Sequence, residues 1–477
     1  MTTEKFKFKA GLFGIGLETY WQQFPGLKCK LQSNLNLISE RISEFDAEIV
    51  NLGLVDNPRM AMQAGHRFRQ SDVDIIFLYV STYALSSTVL PVVQRAKVPV
   101  VILNLSPAPA IDYAAFNSMN DRNAMTAEWL SYCSACPVPE IANVLKRAGI
   151  KFFEVTGILE NDIECWNELK EWVDAAKVAH ILAHNTLGAM GNYYPGMLDI
   201  YTDLTLQVAS FGGHIEIIEV DELTDLRKEV PDIDINKRVQ QFQDSFDIQP
   251  GCHPDELVKS ARTSIALDKL ATKYDLGSLA YYYKGTSGSE NQETITSIIL
   301  GTSLLTARGI PVAGEYEIKN AQAMKIMDSF GAGGSFTEYY AMDFDDDVVL
   351  MGHDGPGHIG IADKKTKVRQ LEQYHGKASS GLSVEMSVKH GAITCLSVVE
   401  INGRLKFLVA EGESVPGPIL QIGNTNSRYQ FSIGARKFVN EWNAQGPAHH
   451  CAIGVGHIAS KIKKLGDLLG LETIKVC

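Results

Sequence analysis

The chain has 477 residues and a formal net charge of −12, because 44 basic side chains oppose 56 acidic ones. An acidic surface argues against nucleic acids and anionic membranes as partners, since both are bound by clustered Lys and Arg. No apolar run approaches the roughly 20 residues of a membrane-spanning helix, and the first residues lack a signal-peptide pattern, so we expect a cytoplasmic protein.

The chain is too long for one hydrophobic core, which predicts two or three domains. Its first third alternates apolar segments with segments of helical periodicity. The predicted strands are KAGLFGIG, AEIVNLG, VDIIFLYV, VPVVILNL and KFFEVTG. Nearly continuous β-branched strands separated by helices are typical of a parallel sheet covered on both faces. Residues 1–173 are therefore predicted to form a doubly wound α/β domain.

A second α/β domain is predicted over residues 174–331. Its first helix is predicted to end in a Gly-rich, aromatic loop, NTLGAMGNYYPG, which contains Met190. HIEIIEV and LGSLAYYYK are predicted strands. Amphipathic periodicity predicts helices over KRVQQFQDSF, DELVKSARTSIALDKLATKYD, ETITSIILGTSLLTARG and EIKNAQAMKIMDSF.

After about residue 332 the pattern becomes one of alternating strands that end in turn signals. These strands are TKVRQLEQYHG, GLSVEMSVKHG, AITCLSVVEING and RLKFLVAEGE. Residues 332–477 are therefore predicted to form an antiparallel, barrel-like, β-rich domain. It is predicted to close with the helix ARKFVNEWNAQ, the strand HHCAIGVG, the helix IASKIKKLGDLLG and the strand ETIKVC.

The loop after the first strand is a candidate ligand-binding segment, because parallel sheets bind ligands at the carboxyl ends of their strands. GLFGIGLE contains a GxG but lacks the third glycine of a dinucleotide site. Glu18, Tyr20 and Trp21 follow, and aromatics beside one carboxylate suit a neutral polyol. The alternative is that Tyr20 and Trp21 only pack the loop.

A second group of residues could bind a metal ion and move protons. Glu315 lies where a predicted strand meets a helix, Glu338 lies in the apolar segment FTEYYAMDF, and His353 follows the apolar strand VVLM. A carboxylate among aromatics is costly to bury unless a cation meets it. His449 and His450 precede a strand, and neighbours in a strand point to opposite faces, so one could ligate while the other packs. Each residue taken singly is also explained by a structural role.

Two carboxylates and two imidazoles without a thiolate suit Mn²⁺, Fe²⁺, Co²⁺ or Zn²⁺, with Mn²⁺ favoured in an octahedral site. These segments resemble the metal site of the L-arabinose isomerase family, which is related to L-fucose isomerase. The order of domains is also similar. The residues that match the family's segments are Glu315, Lys319 and Ala321; Ser335, Phe336 and Glu338; His353; and Trp442, Ala448, His449 and His450.

The resemblance implies a metal-dependent aldose–ketose isomerase that acts on a free monosaccharide through an enediol. Glu315, Glu338, His353 and His450 would bind Mn²⁺, or another divalent cation such as Co²⁺, Fe²⁺ or Mg²⁺. Glu315 and Glu338 would also form the acid/base pair. In the family the N-terminal domain of one subunit covers the active site of its neighbour, which implies a homo-oligomer, a trimer or hexamer, with the active site at a subunit interface.

The substrate-binding residues are expected to be Glu18, Tyr20, Trp21 and Met190. Glu18 and Tyr20 replace a glutamine and a leucine of the family's sugar-contacting loop, which leaves the identity of the sugar open. The interval from Glu338 to His353 is shorter than in the family, so His358 is an alternative to His353, as His449 is to His450. Two other functions remain open: a sugar-binding protein without catalysis, and a metal-dependent epimerase or other enzyme acting on a related polyol.

Overall fold

The computed structural model describes residues 7–286, 288–372 and 380–477. The chain divides into two compact units, Met1–His180 and Ile181–Cys477. The predicted fold class is confirmed, since the chain forms two parallel sheets with helices and then a closed β-barrel. The boundaries predicted after residues 173 and 331 stay predictions. None of the helices in the described ranges is both long enough and apolar enough to cross a membrane.

The first unit is built on a five-stranded sheet. Its strands are β1 (Lys9–Ile15), β2 (Glu48–Val55), β3 (Ile75–Tyr79), β4 (Val100–Ser106) and β5 (Phe152–Ile158). They are parallel and lie in the order β2-β1-β3-β4-β5. The strand order reverses between β1 and β3, which is the topological switch point of the sheet. Sheets of this kind bind ligands at the carboxyl ends of the strands beside that point.

Eight helices of the described residues begin in this unit. They are α1 (Tyr20–Gln23), α2 (Leu27–Ser43), α3 (Pro58–Ser71), α4 (Leu90–Ala96), α5 (Tyr113–Ser118), α6 (Arg122–Tyr132), α7 (Val138–Arg147) and α8 (Ile163–Ala183). Helix α3 shows how the sequence directs them. The Asn57 side chain caps it by accepting a hydrogen bond from the Met60 amide at 3.0 Å, and Pro58 occupies its first position. Ala61 and Phe68 are fully buried on its inner face.

The second unit begins with a four-stranded parallel sheet. The strands of this part are β6 (Thr186–Gly191), β7 (His214–Ile218), β8 (Asp247–Ile248), β9 (Leu276–Tyr282) and β10 (Val312–Ala313). All except β8 form the sheet, in the order β10-β9-β6-β7. The helices are α9 (Leu204–Phe211), α10 (Val220–Lys228), α11 (Asp232–Ser245), α12 (Pro254–Lys273), α13 (Glu290–Thr296), α14 (Ile299–Ala307) and α15 (Ile318–Ser329).

Two sequence predictions for this part are wrong. The first part of the segment predicted as a Gly-rich loop is the inner strand β6, because Leu187, Ala189 and Met190 are buried in the core, whereas residues 192–196 do form a loop. The helix predicted over ETITSIILGTSLLTARG is two helices, α13 and α14. The Ser297 hydroxyl donates to the carbonyl of Glu293 at 2.7 Å, and such side-chain bonds compete with the continuation of a helix.

The remaining strands form a barrel and a small sheet. They are β11 (Ser335–Asp343), β12 (Val348–His353), β13 (Lys367–Leu371), β14 (Gly381–Glu385), β15 (Gly391–Ile401), β16 (Arg404–Val415), β17 (Thr425–Phe431), β18 (His450–Val455) and β19 (Glu472–Lys475). The barrel runs β15-β18-β11-β12-β17-β16 and closes because β16 also pairs with β15. β19 adds to β16, while β13, β14 and β8 form the small sheet. The helices are α16 (Ala435–Asn443) and α17 (Ala459–Leu469).

The predicted strands AITCLSVVEING and RLKFLVAEGE are the barrel strands β15 and β16, and the closing helices agree with the sequence prediction, whereas TKVRQLEQYHG and GLSVEMSVKHG belong to the small sheet as β13 and β14. The predicted strand TKVRQLEQYHG is β13 over its first part, and residues 373–376 of it lie outside the described residues. The barrel interior contains the buried side chains of Val349, Ile393 and Leu408. Phe431 of β17 stacks on Phe438 of α16 with ring centroids 3.5 Å apart, so this helix packs its apolar face against the barrel.

Helix α15 is the centre of the second unit. It contacts β9 and β10 on the side of the parallel sheet and β15 and β18 on the side of the barrel. Every residue from Ile318 to Met327 is therefore buried, including the polar Lys319, Asn320 and Lys325. A helix that is buried on all sides must pair its polar groups internally.

We predict that Gly191→Ala destabilises the second unit more than Gly196→Ala does. Both glycines have a positive φ, of 93° and 96°. A Cβ at residue 191 would lie 1.9 Å from the carbonyl oxygen of Tyr282, whereas a Cβ at residue 196 meets nothing within 4 Å. We expect about 1–2 kcal/mol for the left-handed conformation alone and about 1–3 kcal/mol more for the overpacking. Urea unfolding of the two variants would measure this, and equal losses would contradict it.

Candidate metal centre

A cavity of about 310 Å³ opens in the second unit, beside the barrel strands β11 and β12. Its lining combines carboxylates and imidazoles with aromatic and aliphatic side chains. The lining residues are Tyr194, Met197, Tyr281, Tyr282, Ile295, Thr296, Ile299, Gly314, Glu315, Glu338, His353, Asp354, Pro356 and His449. Three of the four predicted metal ligands therefore line one cavity.

Glu315 reaches the cavity from the turn between β10 and α15. Glu315 and Tyr316 both adopt left-handed backbone conformations, with φ of 56° and 62°. Such conformations cost about 1–3 kcal/mol each and persist where the surroundings enforce them. The Tyr316 amide donates to the carbonyl of Tyr281 at 3.0 Å, and the Glu317 amide donates to that of Gly314 at 3.0 Å. These bonds hold the turn that presents the Glu315 carboxylate.

Glu338, His353 and His450 are brought together by the register of the barrel. Glu338 on β11 pairs with Gly352 of β12 on one side and with His450 of β18 on the other. His353 directly follows Gly352 at the end of β12. Strands far apart in sequence thus bring these side chains to one point, which no local pattern specifies.

The ligand atoms converge closely enough for a single ion. The Nε2 atom of His450 lies 3.3 Å from Oε2 of Glu315, and Nε2 of His353 lies 4.0 Å from Oε1 of the same carboxylate. One ligand atom each from Glu338, His353 and His450 lie within 4.8 Å of one another. The same holds for Glu315, His449 and His450, so all four predicted ligands belong to one cluster.

Each of the three imidazoles has an acceptor at Nδ1. The Nδ1 atom of His353 donates to the carbonyl of Asp354 at 3.0 Å. Nδ1 of His449 lies 2.6 Å from Asp199 Oδ2, and Nδ1 of His450 lies 3.5 Å from Glu317 Oε2. Because these acceptors require the proton on Nδ1, the Nε2 atoms face the cluster as potential ligands. Metal-bound histidines are typically oriented in this way.

The charges in the cluster favour a bound cation. Although burial alone would raise it, the imidazoles of His449, His450 and His353 hold the pKa of Glu315 well below its usual range. Burial, reinforced by His450, lowers the pKa of His353 to about 3. A deprotonated carboxylate and a neutral imidazole are the states in which these groups bind metals.

The two other imidazoles have raised pKa values. Although burial lowers it, contacts with Glu315 and Asp199 raise the pKa of His449 to about 9. The pKa of His450 is also raised, because Glu315 and Glu317 outweigh the effect of burial. These carboxylates thus attract positive charge to the cluster.

Two buried atoms test whether a cation fits here. Oε2 of Glu315 and Nε2 of His450 are buried and lie 3.3 Å apart, but neither makes a well-oriented hydrogen bond in the described part of the chain. Burying such groups without a partner is costly, and a divalent cation would satisfy both at once. The oxygen and nitrogen donors fit Mn²⁺ and its first-row neighbours, so the residues present fit the predicted metal.

His358 does not belong to the cluster. Its Nε2 atom lies 3.8 Å from Asp328 Oδ1, and among the described residues it enters neither group of potential metal ligands. His449 does enter one, with Nε2 3.7 Å from Glu315, and it stays partly exposed towards the cavity. The geometry thus does not support His358 as an alternative to His353. His449 belongs to the cluster together with His450, so it stays an alternative ligand.

The predicted sugar-contacting residues lie elsewhere. Met190 is fully buried in β6 as part of the core and does not line the cavity. Glu18, Tyr20 and Trp21 belong to the first unit, where the Trp21 indole donates to Asp56 Oδ2 at 2.7 Å. Glu18 is exposed at the carboxyl end of β1. The role of all four in substrate binding stays a prediction.

Sequence reasoning missed the residues that support the ligands. Phe336 is fully buried, and its ring centroid lies 4.3 Å from that of His353 and 4.4 Å from that of His450. Its ring packs against both imidazoles. Asp199 and Glu317 orient His449 and His450. Phe336 and Glu317 lay in segments noted from the sequence, but no local pattern gave either a role at the site, because Asp199 and Glu317 reach the histidines through tertiary packing.

We predict that His353→Ala and His450→Ala each lower the affinity for Mn²⁺ by at least about tenfold, because each removes an inward-facing Nε2. His358→Ala is the matched control, since it removes a buried histidine of the same unit that lies outside the cluster. Isothermal titration of the metal-free proteins would measure the affinities. Equal affinity in all three variants would contradict the assignment.

Comparison with known proteins supports the family resemblance. Residues 333–472 match the family model of the L-arabinose isomerase C-terminal domain. The L-arabinose isomerase of Nocardioides sp. is 22% identical over 351 residues, which cover 71% of this chain and 68% of that protein. That of Cellvibrio japonicus is 22% identical over 309 residues, or 58% of this chain and 61% of that protein.

The L-arabinose isomerase of Klebsiella pneumoniae is 24% identical over 278 residues, which cover 55% of this chain and 54% of that protein. The chain thus spans between 54% and 68% of the length of these three relatives. The matched domain contains Glu338, His353 and His450, and Glu315 lies shortly before it. The matched domain and these low identities show that the chain is similar to L-arabinose isomerases, most clearly in its C-terminal part.

Proposed function

We propose that the protein is a metal-dependent aldose–ketose isomerase of free monosaccharides. The observation that carries this proposal is the convergence of Glu315, Glu338, His353 and His450 in one cluster, three of whose members line the cavity. The names of the relatives support it, because they are sugar isomerases. A protein that only binds sugar needs no pair of carboxylates beside its metal ligands.

The reaction moves one proton between C1 and C2 and another between the two oxygens. Glu315, Glu338, His353 and His450 would hold a divalent ion, which would supply Lewis acidity to polarise the sugar carbonyl. One of the two carboxylates removes the proton from carbon, which gives an enediol, and returns it to the neighbouring carbon. Both glutamates lie at the cavity wall, within reach of a sugar held there.

The lining of the cavity favours an uncharged substrate. None of the described residues that line it is Lys or Arg, the side chains that bind phosphate groups. Tyr194, Tyr281 and Tyr282 provide aromatic surface, and Met197, Ile295 and Ile299 provide aliphatic surface. The aromatic and aliphatic surface suits the C–H faces of a free sugar. The carboxylates and imidazoles form the polar end of the cavity.

A panel of free aldoses and ketoses, incubated with Mn²⁺ in D₂O and followed by NMR, tests the proposal. We expect interconversion of one aldose–ketose pair with deuterium entering at C1 or C2, because the carbon proton passes through an exchangeable carboxyl group. The matching sugar phosphates should not react. Sugar binding without turnover would favour the binding protein, and inversion at a carbon without ketose formation would favour the epimerase.

We predict that Glu315→Gln and Glu338→Gln retain the fold and lower turnover by at least about 10²–10⁴-fold, the usual contribution of a general acid or base. Glu385→Gln is the matched control, because Glu385 is a buried carboxylate of the same unit that pairs with Arg369 and lies outside the cavity. Thermal unfolding would verify folding. Near-normal turnover of either cavity variant with Mn²⁺ present would overturn its role.

We also propose a homo-oligomer, a trimer or hexamer, in which Glu18, Tyr20 and Trp21 of one subunit contact the sugar in the cavity of another. The proposal rests on the family resemblance and on the position of these residues at the carboxyl edge of a parallel sheet. Glu18 is exposed there, and Tyr20 and Trp21 are half-buried, so all three retain surface for a ligand.

We predict a mass in solution of three or six times 52.4 kDa, measured by light scattering. Mixing experiments then test the shared site. Trp21→Ala subunits and Glu338→Gln subunits should each be poorly active alone, and their co-assembly should restore part of the activity. An active monomer, or mixtures no more active than their parts, would contradict the shared site.

A further inference from the structure

We infer that Lys319 is a positioning residue of the metal centre, because it links the Glu317 carboxylate to the backbone of Asp199, and the side chains of these two residues contact His450 and His449. The inference rests on the proposed function, since it concerns the same metal. Lys319 touches neither the cavity nor the ligand atoms, and it acts through Glu317 and Asp199.

The Lys319 ammonium group lies at the meeting point of two chain segments. It is 3% exposed, and its Nζ atom donates to the carbonyl oxygens of Asp199 at 2.5 Å and Tyr201 at 3.2 Å. The same atom lies 3.6 Å from Oε1 of Glu317, which is fully buried. The lysine thus attaches the segment around residue 199 to the start of α15.

Two connected paths lead from this ammonium group to the centre. In one path, Oε2 of Glu317 lies 3.5 Å from Nδ1 of His450. In the other, Oδ2 of Asp199 accepts the His449 backbone N–H at 2.9 Å and lies 2.6 Å from its Nδ1. Both paths end at one atom, because Nε2 of His450 and Nε2 of His449 lie 3.3 Å and 3.7 Å from Oε2 of Glu315.

A structural role alone does not explain this choice of residue. Burying an ammonium group and a carboxylate removes both from water, and a buried ion pair is often no more stable than apolar side chains of similar volume. The arrangement does fix the directions of the polar contacts that Lys319 makes. A lysine offers three donors, and here they face two carbonyls and one carboxylate, so its loss would release Asp199 and Glu317 together.

The test compares Lys319→Met with Lys325→Met. Lys325 is the matched control because it lies on the same helix, is 9% exposed, and donates to the carbonyl of Gly309 at 2.9 Å, outside the centre. We expect Lys319→Met to weaken Mn²⁺ binding by about 10–100-fold, as for other residues that orient metal ligands. We expect Lys325→Met to bind Mn²⁺ as the unchanged protein does.

The visible absorption of bound Co²⁺ provides a readout that loss of stability alone does not move. Lys319→Met should change the Co²⁺ band positions, and Lys325→Met should not. In a Glu317→Gln/Asp199→Asn background, adding Lys319→Met should weaken Mn²⁺ binding by less than threefold, because the path is already broken. If Lys319→Met does not fold, Lys319→Gln, which keeps one donor group, should show the same effects to a smaller degree.

The possible failures are distinguishable. An unchanged protein that isomerises sugars and binds Mn²⁺, together with a folded Lys319 variant of equal affinity and equal Co²⁺ spectrum, would overturn this inference alone. Equal weakening in the Lys319 and Lys325 variants would also overturn it, since that result indicates general loss of packing. An unchanged protein that binds no divalent metal would overturn the metal-dependent function and this inference with it.

Discussion

The buried Glu315 carboxylate is the constraint on which the second unit depends. The turn after β10 carries it, and its Oε2 atom lies close to two imidazoles from a distant part of the chain, those of His449 and of His450 at the start of β18. A carboxylate in this position is tolerable only where positive charge compensates it. The parallel sheet and the barrel must therefore be joined through a shared, accurately placed element, which is α15.

The structure around this carboxylate contains further costly features that agree with a functional centre. Glu315 and Tyr316 are consecutive residues in left-handed conformations, and α15 is buried on all sides although it carries Lys319 in its first turn. Strain and buried charge of this kind lower stability when considered alone. Their concentration beside one cavity is understandable if the fold maintains ligand geometry there at the expense of stability.

The relation to the L-arabinose isomerases is uneven along the chain. The matched family domain begins at residue 333 and includes the barrel with Glu338, His353 and His450. The loop from Glu18 to Trp21 departs from the family's sugar-contacting pattern, and the structure places it in the other compact unit. A metal centre tolerates little variation because its geometry is fixed by the ion, whereas a specificity loop can change with the substrate. The chemistry is thus better defined than the sugar.

The sequence by itself determined the fold class and the four ligand candidates, because strand patterning, helix caps and the segments around Glu315, Glu338, His353 and His450 are local features. It misassigned β6 as a loop, since its small residues mimic turn composition, and so it placed Met190 in a binding loop when the structure buries it in the core. Only the tertiary structure decided that the four candidate ligands meet and that His358 stays apart. It also places Asp199 beside His449, Glu317 beside His450, and Lys319 beside both of these acidic residues. The physical reason is that barrel register and the packing of α15 set distances between residues more than one hundred positions apart, and no local pattern encodes them.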